Sequence, residues 1–363
     1  VEQPLTVIER NTNTYDLPVG WGHKYNFTQN IYNVKTDSRL AVKAVGDGIT
    51  NDKPAIQTAI SMAKKAGGGI IFFPEGIYKL LHSGWGGLEL GDRVILAGEG
   101  IDKTVLRYGY PGESGVGVRL NPGVKTTGLA DLTIENISDG GHWASNLSAS
   151  GVEEFFMQRV CWKLNQGRWL DIADANKVCI VNCDFTQGVT ATTGYRGPLR
   201  MDGSQNVVYA DNKMVYANDG LHFGHTRERG GAQNIVFENN KTYRDGSARW
   251  PRNARVITHV TTWNFARNVA ILNNTFHVIN GRPQNTNDGE TILSEQGANY
   301  APDESVGTVS SATSNTLTDN TKAWGIWYNL GLGSALCMAK GWANGGRLRT
   351  GPQPPSPWKV IGK

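Results

Sequence analysis

Five short segments in the middle of the chain gather ionisable residues at one alternation. Laid beneath one another, "RWLDIADANK", "GPLRMDGSQN", "DGLHFGHTRE", "NARVITHVTT" and "GETILSEQGA" bring Leu170 and Ile172, Leu199 and Met201, and Leu221 and Phe223 to equivalent places. Those places read as inward-facing strand positions. The outward set then holds Asp171, Arg200, Asp202, His222, Arg255, His259 and Glu295. Strands that only face water carry mostly Thr, Ser, Lys and Asn, so a face this rich in titratable groups points to chemistry.

Two reactions fit such a face. If the segments pair in parallel with Asp171 beside Arg200, the α-carbon of Asp202 stands one strand up and two residues along, about 8 Å from that of Asp171. Inverting glycosidases hold their two carboxyl groups roughly 6.5 to 9.5 Å apart, with a water between acid and base. Asp171 and Asp202 are then the candidate acid/base pair, His222 and His225 tune or bind, and Glu295 is a reserve carboxylate. Arg200 and Arg255 would hold substrate, with Asp219, His259 and Trp250 as further binding positions. The competing reaction is β-elimination on a uronic-acid polymer, which needs a cation on the substrate carboxylate and a base at C5. Arg200, Arg255, His222 and His259 offer both. Hydrolysis is placed slightly ahead of elimination. A structural reading stands beside each. Arg200 between two aspartates also makes an ion-pair ladder, the histidines also serve as packed residues, and Asp219 before Gly220 also makes a turn.

Strands must place these residues, and the composition supplies them. The 363 residues include 45 glycines, and sustained helical periodicity is scarce. Strand-turn units return at intervals of about 23 to 35 residues as "LADLTIENI", "VEEFFMQRVCW", "NKVCIVNCDF", "QNVVYADNKMV", "QNIVFENNKTY" and "RNVAILNNTFHV". Asn136, Asn182, Asn212, Asn240 and Asn274 fall near one register in the turns, and are read as structural because Asn tolerates left-handed backbone and stacked amides bond between repeats. Ahead of the repeats, Asp52 opens a helix whose apolar positions are Ile56, Ala59, Ile60 and Ala63. Gly67 to Gly69 stop it, and Ile70 to Phe73 read as a buried strand. A helix there suits a cap over the open end of a solenoid.

The stretch "VKAVGDGITNDKPAIQTAI…AGGGIIFFPEGIYKL" resembles the N-terminal signature of the pectate-lyase-like right-handed parallel β-helix superfamily. The resemblance implies an all-β right-handed solenoid with an N-terminal capping helix and carbohydrate polymers as substrates. Its lyases, hydrolases, epimerases and phage tailspikes share one architecture, so the reaction stays open. The order Asp, Asp, His, Arg along the ladder is similar to that of polygalacturonase-like hydrolases, although "WLDIAD", "RMDG", "FGHT" and "ARVIT" differ from the motifs of that group. The expected organisation is an arm or cap over residues 1–35, the β-helix over 36–300, and a hairpin-like addition with a tail over 301–363.

The remaining composition narrows the partners. Basic and acidic residues number 36 and 32 with no long cationic run, which argues against nucleic acid. No apolar stretch reaches the roughly 20 residues that span a bilayer, so no membrane segment is expected. The isoelectric point near 8.8 favours an anionic substrate. The start at Val1 without a signal-like segment fits a trimmed or mature chain, and a secreted or periplasmic location is expected. Cys161, Cys179, Cys183 and Cys337 read as small buried hydrophobes. No metal or cofactor is expected, with calcium entering only if the reaction is elimination. A third reading is a non-catalytic glycan-binding solenoid in which Trp143, Trp162, Trp169, Trp250 and Trp263 stack on sugars, against which core packing is the plainer role for such residues.

Overall fold

The computed structural model describes residues 30–81, 86–110, 117–137, 145–164, 168–187, 199–216, 221–222, 233–245, 257–261, 267–279, 292–296, 311–312 and 317–318. Strands recur in triplets. Arg168–Ala173, Asn176–Val181 and Asp184–Gln187 follow one another across corners at 174–175 and 182–183. Leu199–Asp202, Gln205–Ala210 and Lys213–Tyr216 repeat the order one turn later. Equivalent strands pair in parallel, so that Val178 lies beside Val207, which lies beside Ile235, which lies beside Val269. The chain is therefore a parallel β-helix. We call the sheets built from the first, second and third strand of each triplet sheet 1, sheet 2 and sheet 3.

Sheet 1 is a separate eight-stranded sheet. Sheets 2 and 3 merge into one 16-stranded network, because the 12-residue strands Lys125–Asn136 and Glu153–Leu164 each run through the corner between them. Alternation sends Leu170 and Ile172 of sheet 1, Val178 and Ile180 of sheet 2, and Phe185 of sheet 3 into one buried core. There Tyr209 stacks on Phe185 at 6.0 Å and on Phe237 at 5.3 Å, continuing the core from turn to turn. Cys161, Cys179 and Cys183 are buried free thiols, as composition predicts, and burial raises all three pKa values.

The corner between sheets 2 and 3 has two kinds of polar position. Asn182, Asp211, Asn239 and Asn273 take left-handed backbone, with φ between 51° and 56°. The position after each is Cys183, Asn212, Asn240 and Asn274, and its three asparagines form a ladder. Asn212 Nδ2 donates to Asn240 Oδ1 at 3.0 Å, and Asn240 Nδ2 donates to Asn274 Oδ1 at 2.9 Å. Asn182 and Asn136 thus leave the column expected for them. Asn182 is the left-handed residue beside Cys183, and Asn136 pairs with Leu164 and Tyr108 at the far end of sheet 3.

The helix α1 (Lys53–Lys65) buries Ala55, Ile56, Ala59, Ile60 and Ala63 in the main core at the first turn of the solenoid. Asp52 sits at its N-cap without making the capping bond. Its buried carboxylate instead accepts from the Val45 and Gly46 amides at 2.7 and 3.0 Å. Gln57 closes the open edge of sheet 1: its Nε2 donates to the Glu89 carbonyl at 3.2 Å, and its Oε1 accepts the Glu89 amide at 3.0 Å. The strand Ile31–Asn33 already pairs with Gly69–Phe73, so the solenoid has begun by Ile31 rather than at 36. Ser311–Ala312 and Leu317–Thr318 form a separate antiparallel pair. Among the described residues no helix is long and apolar enough to cross a membrane.

Candidate functional site

Sheet 1 carries a column of paired positions that includes part of the expected ladder. Its pairing runs Glu89, Arg119, Ser148, Asp171, Arg200, His222, Thr258 and Leu293, each beside the next. The phase is set from below: Leu88, Val118, Leu147 and Leu170, the residues one place earlier, are fully buried in the core. Alternation then leaves the ladder column on the outer face, where Glu89 and Arg119 are exposed and Ser148 and Asp171 are half-buried. Neighbouring positions along the column stand about 4.8 Å apart.

The register matches the sequence reading at Asp171, Arg200 and His222, which occupy three consecutive turns of one column. Asp202 pairs with Ala173, two residues along from Asp171 and one strand up. That offset separates the two α-carbons by about 8 Å. His259 is a correction. Thr258 takes the column position beside His222, and His259 pairs with Ser294, one residue out of the column register. Glu295 pairs with Val260, two positions beyond the column. Asp219, His225, Trp250 and Arg255 lie outside the described residues, as do Trp143 and Trp263. Trp162 is a core residue whose Nε1 donates to Met157 Sδ at 2.9 Å, which removes it from the sugar-stacking set.

Glu89, Arg119 and Ser148 extend the column toward the N-terminal end and are missing from the sequence reading. The available signal is the apolar-polar-apolar triplet of the short strands Leu88–Leu90 and Val118–Leu120.

One edge of this face is the corner leading into sheet 2. Gly123, Gly151, Asp174 and Gly203 take positive φ there. Just beyond it, polar side chains are bonded from turn to turn. Thr126 Oγ1 donates to Glu154 Oε2 at 2.9 Å, Lys177 Nζ donates to Glu154 Oε1 at 2.9 Å, and Asn206 Nδ2 donates to Asn176 Oδ1 at 2.7 Å. The bond to Glu154 and its charge raise the pKa of Lys177. These groups are satisfied by one another and act as a fixed border. Among the described residues no group of three or more His, Cys, Asp or Glu is arranged to hold a metal ion.

Asp171, Arg200 and His222 thus follow one another on three consecutive turns of one column, about 4.8 Å apart.

Comparison with known proteins agrees with the architecture. Residues 31–245 match the family model described as rhamnogalacturonase A/epimerase, pectate lyase-like. Mannuronan C5-epimerase AlgE1 of Azotobacter vinelandii is 40% identical over 103 residues, 26% of this chain and 7% of that protein. Alginate lyase 7 of the same organism is 36% identical over 115 residues, 30% of this chain and 13% of that protein. The match thus spans a small part of either relative. The crystal structure of PfbA, a surface adhesin of Streptococcus pneumoniae, superposes with a TM-score of 0.50 at 17% identity over 68% of this chain and 72% of that one, a likeness of fold.

Proposed function

From the chain's place in the rhamnogalacturonase A/epimerase, pectate-lyase-like family, to which it belongs, we propose that it is a carbohydrate-active enzyme working on a polysaccharide laid along sheet 1. Its chemistry begins with removal of the C5 proton from a uronate residue. One observation carries the reading: Arg200 and His222 are paired neighbours in the column.

A C5 proton beside an ionised carboxylate is weakly acidic, because its loss puts a second negative charge on the same group. Arg200 pairs with the substrate carboxylate and takes up that charge, and His222, one strand away, accepts the proton as general base. The electron pair moves from the C5–H bond into the carboxylate. It then either returns to C5 with a proton from the opposite face, inverting the centre, or forms the C4–C5 double bond as the C4 oxygen leaves and is protonated. The relatives named as a C5-epimerase and an alginate lyase support a shared first step of this kind. The isoelectric point near 8.8 favours a polyanion. Asp171 is the column neighbour of Arg200 on the other side, and in this reading its carboxylate has the role of orienting the guanidinium.

A second reading rests on the offset of Asp171 and Asp202. With their α-carbons about 8 Å apart, the two side chains can set their carboxyl groups at the roughly 6.5 to 9.5 Å of an inverting acid/base pair, so glycosidic hydrolysis is the alternative. The test is incubation with a panel of neutral and uronate-containing polysaccharides, recording reducing ends, ultraviolet absorbance of unsaturated product and the C5 configuration by proton NMR. Absorbance or C5 inversion, lowered at least a hundredfold by His222→Asn, is the expected result. Reducing ends without either, removed by Asp202→Asn in a folded protein, establish hydrolysis instead. Binding without turnover by the unchanged protein defeats both readings and leaves a glycan-binding solenoid.

A further inference from the structure

The outer faces of sheets 2 and 3 differ in what they show to water. On sheet 2, Ile95, Phe156 and Cys179 are apolar and fully buried, in a cluster separate from the main core. Sheet 3 presents an open, charged face instead. Trp162, Phe185 and Met214 point into the core, so the residues on either side of each point outward. Two outward columns result. One pairs Lys163, Thr186, Val215 and Tyr243 in order, and the other, two residues earlier on each strand, pairs Cys161, Asp184, Lys213 and Lys241.

Charge on this face is compensated at its N-terminal end and in surplus further along. Arg107 and Glu135 are paired neighbours joined by an ion pair, and Lys79 lies over the Tyr110 ring at 4.7 Å. Beyond them stand three exposed lysines, Lys163, Lys213 and Lys241. Asp184 is the carboxylate among them, 3.9 Å from Lys213. Among the described residues Lys163 and Lys241 have no ion-pair partner. Lys213 and Lys241 are also direct neighbours in the pairing, where like charges repel. An anion supplied from outside relieves that surplus.

The positions suit an extended ligand lying along the axis. Lys163 and Tyr243 are three strand spacings apart, about 14 Å, and Lys241 stands two residues, about 7 Å, from Tyr243 on the same face. A half-buried tyrosine ring beside a lysine offers one surface for the apolar face of a sugar and one charge for its carboxylate. Nucleic acid is the poorer fit, because the chain has no long cationic run.

We propose that the outer face of sheet 3, at Lys163, Lys213, Lys241 and Tyr243, is a second binding surface for a uronate-bearing polysaccharide. The ligand class rests on the polysaccharide reading above, and the location rests on the charges of sheet 3 alone. Such a surface retains a long polymer while another stretch of it occupies sheet 1.

The test measures equilibrium binding of the full chain to polygalacturonate, with dextran as the neutral control and double-stranded DNA as a polyanion without sugar carboxylates. The triple change Lys163→Gln, Lys213→Gln and Lys241→Gln is set against Lys43→Gln, Lys64→Gln and Lys65→Gln, which removes the same charge from exposed positions elsewhere. Affinity for polygalacturonate is expected to fall about tenfold with the first change and about twofold or less with the second. Binding by the unchanged protein is expected to weaken between about 50 and about 200 mM salt. Polygalacturonate is also expected to slow acetylation of Lys163, Lys213 and Lys241 in the unchanged protein, mapped by peptide mass spectrometry, while Lys43 and Lys65 react as before. Equal losses with both triple changes, dextran or DNA binding as tight as polygalacturonate binding, or no protection of the three lysines overturns the proposal. The acetylation result stands even if a variant fails to fold. Protection of the three lysines in a protein without turnover supports this surface and defeats the sheet 1 chemistry alone.

Discussion

Asn240→Ala provides a quantitative test of how the corner between sheets 2 and 3 is held. The Asn240 side chain is fully buried and makes four hydrogen bonds: it donates to the Tyr209 carbonyl and Asn274 Oδ1, each at 2.9 Å, and accepts from the Asn212 amide and Asn212 Nδ2, each at 3.0 Å. Alanine removes all four and strands a backbone carbonyl and a backbone amide in a buried corner. At about 1 kcal/mol net for each bond, the loss is about 4 kcal/mol. Asn274 Oδ1 keeps the Asn240 amide at 2.7 Å, which holds the loss to the turns adjoining residue 240. At roughly 2.1 cal/mol/K of unfolding entropy per residue a 363-residue chain shifts its melting point by about 1.3 °C per kcal/mol, so a fall of about 5 °C is expected. The control is Asn239→Ala next door. That residue is exposed with φ of 53°, so its cost is the left-handed backbone alone, about 1 kcal/mol. Circular dichroism melting of the two variants against the unchanged protein makes the comparison. An Asn240→Ala midpoint within about 3 °C of the unchanged protein, or an Asn239→Ala midpoint below that of Asn240→Ala, refutes the reasoning.

Gln57→Ala opens the edge of sheet 1 by removing both bonds to Glu89. The edge is exposed and water replaces part of the loss, so a cost of about 1 kcal/mol is expected, with faster hydrogen exchange at the Glu89 amide as the local readout. Acid should destabilise the N-terminal turns. Glu99 is held below the usual carboxylate range by the Glu75 amide and Lys103, and Asp37 by the bond from the Arg39 guanidinium. Depressed folded-state values mean that this stabilisation is present above about pH 4 and is lost as pH falls through the lowered values. The melting temperature should therefore drop as the pH falls below about 4, and Glu99→Gln should make that limb shallower. An unchanged limb rules out Glu99 as a contributor.

How much could be read from the sequence depended on whether neighbouring strands share a short corner. In "RWLDIADANK" and "GPLRMDGSQN" the corners at 174–175 and 203–204 leave no slack before the sheet 2 strands, whose apolar phase is plain at Val178 and Val207. That phase carries back across the corner and sets Asp171 and Arg200 in one column. "ARVITHVT" has no such anchor. Val256 and Ile257 are adjacent apolar residues, so both phases fit, and residues 262–266 intervene before the strand Arg267–Leu272. His259 is accordingly assigned to the column by sequence, and the pairing gives that place to Thr258. The asparagines fail for a related reason. The corner asks for a left-handed residue and then for a buried amide, and Asn satisfies both demands. "ENN" and "LNN" fill both positions, whereas "VNC" fills only the first, so aligning asparagines places Asn182 one residue out of its true role.

The segment "GDGITND" offers the opposite lesson, because its polar residues look available for chemistry and are all engaged in building the first turn. Asp47 accepts the Ile49 and Thr50 amides at 2.8 Å, Asn51 accepts the Leu81 amide at 3.1 Å, and Asp52 is committed to Val45 and Gly46. Gly46 and Gly48 take φ of 70° and 74°, where a side chain is strained. A signature so fully occupied by its own fold identifies the scaffold and is silent on the reaction. Positions where the fold imposes no identity are a different matter, and the outer column of sheet 1 is such a place. Its inward neighbours at Leu147 and Leu170 are held to apolar residues by the core, while Ser148 and Asp171 answer to no packing demand of that kind. Glu89, Arg119, Asp171, Arg200 and His222 share that column, and packing of the core does not account for their identities.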